Sequence, residues 1–321
     1  MKKKIILVSG DPNSINSEII FKSWKKLSKR IKKNLFLISN CNLLKKQFKK
    51  LNYKIQITPV KNISETKSSN KLKVIDTNLN FVNPFKVSRK SSSIFVMESL
   101  KKAHKLSLNK NVVGLINCPI DKKLLGKKET GVTELLASYC KIKKNSEVMI
   151  IMNNKLIVSP ITTHLDIKSV SKNINKKIII NKIKTINNWY KRLFKKKPKI
   201  GVLGLNPHNS ELRNNSEEKK VIIPAINKIK KLGINVKGPL VSDTLFIQNY
   251  KNFNVIVGMY HDQVLSPFKT LYKFKAINLT LGLKYIRVSP DHGVAADKIL
   301  QKKSNPESLL DCIKFIDNFN K

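Results

Sequence analysis

The chain has 321 residues, 41% hydrophobic and 26% charged, with apolar residues in runs of strand or helix length; this excludes disordered and collagen-like classes and leaves room for two modest domains or one large α/β unit. No apolar run approaches the roughly 20 residues that cross a bilayer, and Met1-Lys2-Lys3-Lys4 leads into too short an apolar run for an export signal, so a soluble, cytoplasmic protein with no membrane partner is expected. The 64 Lys and Arg against 20 Asp and Glu give a net charge of +44, yet the only arginines are Arg30, Arg89, Arg192, Arg213 and Arg287; lysine dispersed through every segment is not an arginine-built reading surface, and no specific nucleic-acid partner is expected.

In chain order, a strand at 5–9 precedes a helix at 17–33, then strands at 35–39 and 55–59. Residues 61–80, rich in Ser, Lys and Asn, read as a surface excursion. A helix at 91–108, a strand at 112–117 and a helix at 133–141 follow, then an apparent hairpin of strands 148–152 and 156–159. The helix at 167–194, strand at 200–205, helix at 217–232, strands at 255–259, 276–279 and 285–288, and helix at 306–319 complete the pattern. Short β-rich runs alternating with amphipathic, lysine-rich helices predict a mainly parallel sheet covered on both faces. There is no internal repeat and no long Pro/Gly linker. Cys41, Cys118, Cys140 and Cys312 form no C-x-x-C pair and read as reduced thiols.

Three of the five histidines follow predicted strands: His164 after the hairpin, His208 after 200–205 and His261 after 255–259. In open α/β sheets ligands bind beyond the carboxyl ends of the strands, so these imidazoles can converge and leave coordination positions open, as a catalytic divalent metal requires. Asp262 is placed to orient a ligand or complete the metal shell. Lys269, Asn278 and Arg287 suit a phosphorylated, carboxylated substrate, and Arg287 stands out because arginine is scarce and this one lies in an apolar strand. Thr133 opens a helix whose free amides can receive an anion. The Gly10-Asp11-Pro12-Asn13 turn is not a dinucleotide fingerprint, and no Walker loop, G-x-S-x-G elbow or H-E-x-x-H occurs.

These segments, Gly10-Asp11-Pro12, Asn117-Cys118-Pro119-Ile120-Asp121-Lys122, Thr133-Glu134-Leu135-Leu136-Ala137, Thr162-Thr163-His164, Leu203-Gly204-Leu205-Asn206-Pro207-His208, Ser242-Asp243-Thr244-Leu245-Phe246, Tyr260-His261-Asp262-Gln263 and Arg287-Val288-Ser289-Pro290-Asp291-His292-Gly293, together resemble the 4-hydroxythreonine-4-phosphate dehydrogenase family of pyridoxine biosynthesis. The resemblance runs in order from residue 5 to about 300. It implies a three-layer α/β/α fold of the isocitrate/isopropylmalate dehydrogenase kind, with two domains flanking a cleft, here 1–128 plus 279–321 and 129–278. It further implies a homodimer with shared active sites, a small phosphorylated amino-acid substrate, NAD or NADP, and one divalent ion: zinc, magnesium, cobalt or manganese. The matching positions put the metal on His164, His208 and His261, the last expected from the partner subunit, and substrate on Thr133, Lys269, Asn278 and Arg287. His292, Gly293 and Asp297 match the adenosine-side loop, and Asp243 or Asp262 is the base or an orienting group beside Lys269. The implied reaction oxidises 4-phosphohydroxy-L-threonine to a β-keto acid, which loses carbon dioxide to give 3-amino-2-oxopropyl phosphate.

The chain departs from the family pattern at Val132, where the family usually has histidine, at Ser14 and Asn16, where glycines are common, and at Asp121, where Asn is usual. Val132 cannot donate a hydrogen bond. It keeps open a related substrate, another phosphorylated four-carbon hydroxy acid.

Overall fold

In the computed structural model, residues 3–65, 70–126, 131–142 and 146–320 are described. The chain forms two compact units, residues 1–141 with 283–321, and residues 142–282. The first begins with β1 (Lys4–Val8), α1 (Asn16–Lys26), α2 (Lys29–Asn34), β2 (Leu35–Ser39) and α3 (Cys41–Lys50), and continues through β3 (Ile57–Val60), β4 (Leu72–Asp76), α4 (Arg89–Ser107), β5 (Val112–Asn117) and α5 (Val132–Tyr139). The second holds β6 (Val148–Met152), β7 (Ile157–Pro160), α6 (Ile167–Asn173), α7 (Lys176–Phe194), β8 (Ile200–Leu203) and α8 (Ile223–Lys231), then β9 (Val236–Leu240), α9 (Ser242–Thr244), β10 (Val255–Gly258), α10 (His261–Tyr272) and β11 (Ile277–Leu281). The first unit is completed by β12 (Ile286–Pro290) and α11 (Glu307–Asp317).

Strands of the first unit run in the order β3-β4-β2-β1-β5-β12, with every neighbouring pair parallel. Every residue of β1 and β2 is buried, which is why Ile5-Ile6-Leu7-Val8 and Leu35-Phe36-Leu37-Ile38 are unbroken apolar runs and not alternating ones. In the second unit the order is β11-β6-β7-β10-β8-β9. Here β11/β6 and β6/β7 are antiparallel, and β7, β10, β8 and β9 are parallel. Val264, Leu265 and Phe268 of α10 pack with Val158, Leu203 and Ile256 in one core. Burial of each is worth about 1.5–3 kcal/mol, and it fixes the helix carrying His261 and Lys269 against the strands.

Several expectations are corrected by local chemistry. The helix expected over 17–33 is two helices, because the Ser28 hydroxyl caps α2 by accepting from Ile31 N. The one over 167–194 breaks likewise at Asn175, whose side chain accepts from Ile178 N. Capping side chains interrupt an apolar period that would otherwise read as continuous. The surface excursion expected over 61–80 contains β4, a buried strand between β2 and β3; residues 66–69 of that stretch lie outside those described. Lys73 disguised it: the side chain is 1% exposed, and its ammonium donates to the Lys32 and Lys33 carbonyls at the end of α2. The chain leaves the first unit after residue 141 and returns after 282, later than the expected 128 and 278. The α5 helix packs on α4, with His104 against Tyr139. No helix among the described residues is long and apolar enough to cross a membrane.

Candidate active site

The parallel strands β7, β10 and β8 are neighbours, so the loops that leave their carboxyl ends share one edge of the sheet. His164, His208 and His261 lie on those three loops or at the start of the following helix. The His164 and His261 rings of the chain stand with centroids 5.9 Å apart. His261 Nδ1 is 2.7 Å from Asp262 Oδ1, an arrangement that favours a proton on Nδ1 and leaves the Nε2 lone pair for a ligand. His208 is exposed and opens a left-handed turn, with φ between 49° and 57° from His208 to Leu212. Among the described residues no three His, Cys, Asp or Glu side chains are grouped as a metal site. The structure therefore brings two of the three expected imidazoles together and does not group His208 with them. The donor chemistry of the pair, with a carboxylate behind one ring, fits a divalent ion.

Lys269 is half-buried on α10, its Nζ 5.3 Å from the centre of the Phe274 ring. On β11, Asn278 carries a buried Oδ1 without a hydrogen-bond partner among the described residues. An orphaned buried acceptor costs about 1–3 kcal/mol, and a ligand N–H or O–H would satisfy it. Asp243 is exposed and accepts from Thr244 N at 2.8 Å; Asp262 is exposed as well.

In the first unit, Arg287 is only 3% exposed. Its Nε donates to Asn117 Oδ1 at 2.8 Å and its Nη1 to Thr133 Oγ1 at 3.2 Å. Burial pulls the guanidinium pKa down to about 10, with Glu134 among the charges opposing the shift, so it is cationic at neutral pH. The structure thus unites Arg287 and Thr133, two of the residues expected to contact substrate. Asn117 is the partner that sequence reasoning left without a role, although an amide ending an otherwise apolar strand was its visible signal. His292 Nδ1 lies 2.9 Å from Gly293 O, and Asp297 is exposed in a short turn. Ile15 N donates to Val294 O, which puts the 292–297 loop beside the turn after β1. In that turn Gly10 has φ +75°, and a Cβ there would meet Pro119 O at 2.5 Å, so glycine is required.

Both units, with loops gathered at strand ends, define an α/β protein of the isocitrate dehydrogenase fold. The isocitrate dehydrogenase of Methylococcus capsulatus shares the fold with a TM-score of 0.50 at 10% identity, over 98% of this chain and 85% of that one. Within that fold the chain belongs to the family described as pyridoxal phosphate biosynthetic protein PdxA, whose profile matches residues 31–316. It is 36% identical to 4-hydroxythreonine-4-phosphate dehydrogenase of Sulfurihydrogenibium sp. (strain YO3AOP1), over 97% of this chain and 96% of the relative. The crystal structure of 4-hydroxythreonine-4-phosphate dehydrogenase from Klebsiella pneumoniae matches with a TM-score of 0.88 and 28% identity, over 99% of this chain and 100% of that one. D-threonate 4-phosphate dehydrogenase of Salmonella typhimurium is 29% identical over 97% of each chain.

Proposed function

We propose that the chain oxidises 4-phosphohydroxy-L-threonine with NAD or NADP to a β-keto acid, which loses carbon dioxide to give 3-amino-2-oxopropyl phosphate, in pyridoxal phosphate biosynthesis. The observation that carries this reading is the full-length likeness, at 36% identity, to a chain named for that activity. His164, His208 and His261 would hold one divalent ion, zinc, cobalt, manganese or magnesium, and His292, Gly293 and Asp297 the adenosine side of the dinucleotide. When bound, the ion supplies Lewis acidity toward the substrate hydroxyl and the ketone oxygen, and the nicotinamide supplies the hydride acceptor.

The chain's own groups do the rest. Arg287, held by Asn117, clamps an anionic group of the substrate, and Thr133 donates or accepts beside it. Asn278 Oδ1 accepts a hydrogen from the substrate's ammonium, which satisfies its orphaned lone pairs. Asp262 orients His261, and Asp243, open to solvent, is the candidate base for the hydroxyl proton. Lys269 delivers a proton to the carbon that carbon dioxide leaves. The enzyme works in the cytoplasm as a homodimer.

A second reading, oxidation of a D-threonate 4-phosphate-like acid, is favoured by the Salmonella relative and by apolar Val132 beside Thr133. The test is NADH formation by the purified chain with each substrate, with chelator and then with metal restored. Turnover of 4-phosphohydroxy-L-threonine that chelation abolishes and metal restores supports the first reading. Turnover of only the threonate phosphate overturns it in favour of the second.

A further inference from the structure

Three buried polar side chains tie the histidine-bearing loops of the second unit to one another. Gln263, 8% exposed on the first turn of α10, accepts from Met259 N at Oε1 and donates from Nε2 to Gly204 O, both at 2.7 Å. One carboxamide thus joins the chain two residues before His261 to the chain four residues before His208. Met259 is also gripped from the other side: its carbonyl accepts the Thr162 hydroxyl at 2.7 Å and the Thr162 amide at 3.1 Å, two residues before His164. Glu218, fully buried, accepts at Oε1 from Leu205 N at 2.7 Å and Asn206 N at 2.9 Å, and at Oε2 from the Asn206 amide at 3.0 Å.

Two glycines make room for these links. A Cβ on Gly258 would meet Val264 Cγ1 at 2.6 Å and Gln263 Oε1 at 3.0 Å, and one on Gly204 would meet Asn209 Oδ1 at 2.0 Å and Glu218 Oε1 at 3.2 Å. The requirement at position 263 is chemical: one group must accept from an amide N–H and donate to a carbonyl. Among side chains of this length an amide does both, whereas a carboxylate only accepts and a methionine does neither.

We propose that Gln263 is a positioning residue, whose carboxamide fixes the spacing of the loops carrying His164, His208 and His261 and so sets the affinity of the site for a divalent ion. This rests on the metal reading above. Positioning groups behind metal ligands are typically worth 10–100-fold in affinity, and the same is expected here.

The test uses the full chain as wild type, Gln263→Met and Gln263→Glu, with cobalt(II) as the probe. Hydrogen exchange at the Met259 amide is read without metal, and cobalt(II) affinity by its visible absorption. Gln263→Met should speed Met259 exchange by roughly tenfold or more and weaken cobalt(II) about 10–100-fold. Gln263→Glu should keep Met259 protected yet still weaken cobalt(II), because its carboxylate repels the Gly204 carbonyl. A merely structural role would lower thermal stability while folded protein binds cobalt(II) as tightly as wild type, and that result overturns the proposal. Should Gln263→Met not fold, Thr162→Val reads the same coupling through Met259, and unchanged affinity there also overturns it. A wild-type chain that binds no cobalt(II) removes the metal reading itself. The proposal then falls with it as to affinity, and Met259 exchange unchanged in Gln263→Met would remove the spacing role too.

Discussion

Arg287 keeps a charge in a place with little water, and two neutral groups among its partners, Asn117 and Thr133, aim its fork. Hydrogen bonds to charged groups contribute about 1.5–3 kcal/mol each, so Arg287→Ala should raise KM for the phosphorylated substrate roughly 10–100-fold. Asn117→Ala leaves the charge but frees its orientation, so a smaller rise, on the order of tenfold, is expected with less effect on kcat. Steady-state NADH kinetics check both, and an unchanged KM in Arg287→Ala rejects the anion clamp. At this scale the sequence was informative where residue type is rare. One arginine in an apolar strand and three histidines after strands were visible, and the structure pairs Arg287 with Thr133 and His164 with His261. The partners of Asn117 and Gln263 were not legible, because bonds spanning 170 and 59 residues leave no trace in local spacing.

The element around His208 combines poor conformational chemistry with a tight setting. Residues 208–212 are all left-handed and none is glycine, although left-handed geometry costs an L-residue roughly 1–2 kcal/mol. Glu218 holds the preceding backbone in place; burial opposes its ionisation, but hydrogen bonds from Asn206 and Leu205 prevail and keep its carboxyl below the usual range. Replacing half-buried Ser210 by glycine removes the steric part of that cost and adds some unfolded-chain entropy. Ser210→Gly should therefore stabilise the chain by about 0.5–1 kcal/mol, read as a higher midpoint in urea at unchanged slope. A lower midpoint would mean that the Ser210 side chain contributes more than its backbone costs. This turn was invisible in the sequence because no glycine marks it, just as β4 was hidden by Lys73 and the α1/α2 break by Ser28. Strands such as 35–39 and 112–117 were legible to the residue because continuous apolar runs have one explanation in a two-sided parallel sheet.

For the molecule as a whole, the charge of +44 bears on stability more than on recognition. With 64 cations and 20 acids, most lysines have no acid to pair with, so self-repulsion favours expansion. The Debye length shrinks from about 30 Å at 0.01 M salt to about 8 Å at 0.15 M, which weakens that repulsion in the compact state most. The Tm should thus rise by several degrees across this range, similarly for sodium and potassium chloride; a flat or falling Tm would show that the lysines are locally compensated. Raising pH should act in the same direction, and Lys73 gives that dependence a specific component. Burial, then the charges of Lys4 and Lys33, pull its pKa down to about 8, whereas an unfolded lysine titrates near 10.4. Between those values the unfolded chain binds the extra proton, so stability rises with pH over that window. Lys73→Met should flatten the rise between pH 8 and about 10.4 while leaving the salt dependence intact, because it removes one buried titration and only one of the chain's 64 cationic side chains. Urea unfolding of both chains at pH 7.5 and 10 reads the difference, and parallel slopes would show that Lys73 stays protonated through interactions with the α2 carbonyls that outweigh its burial.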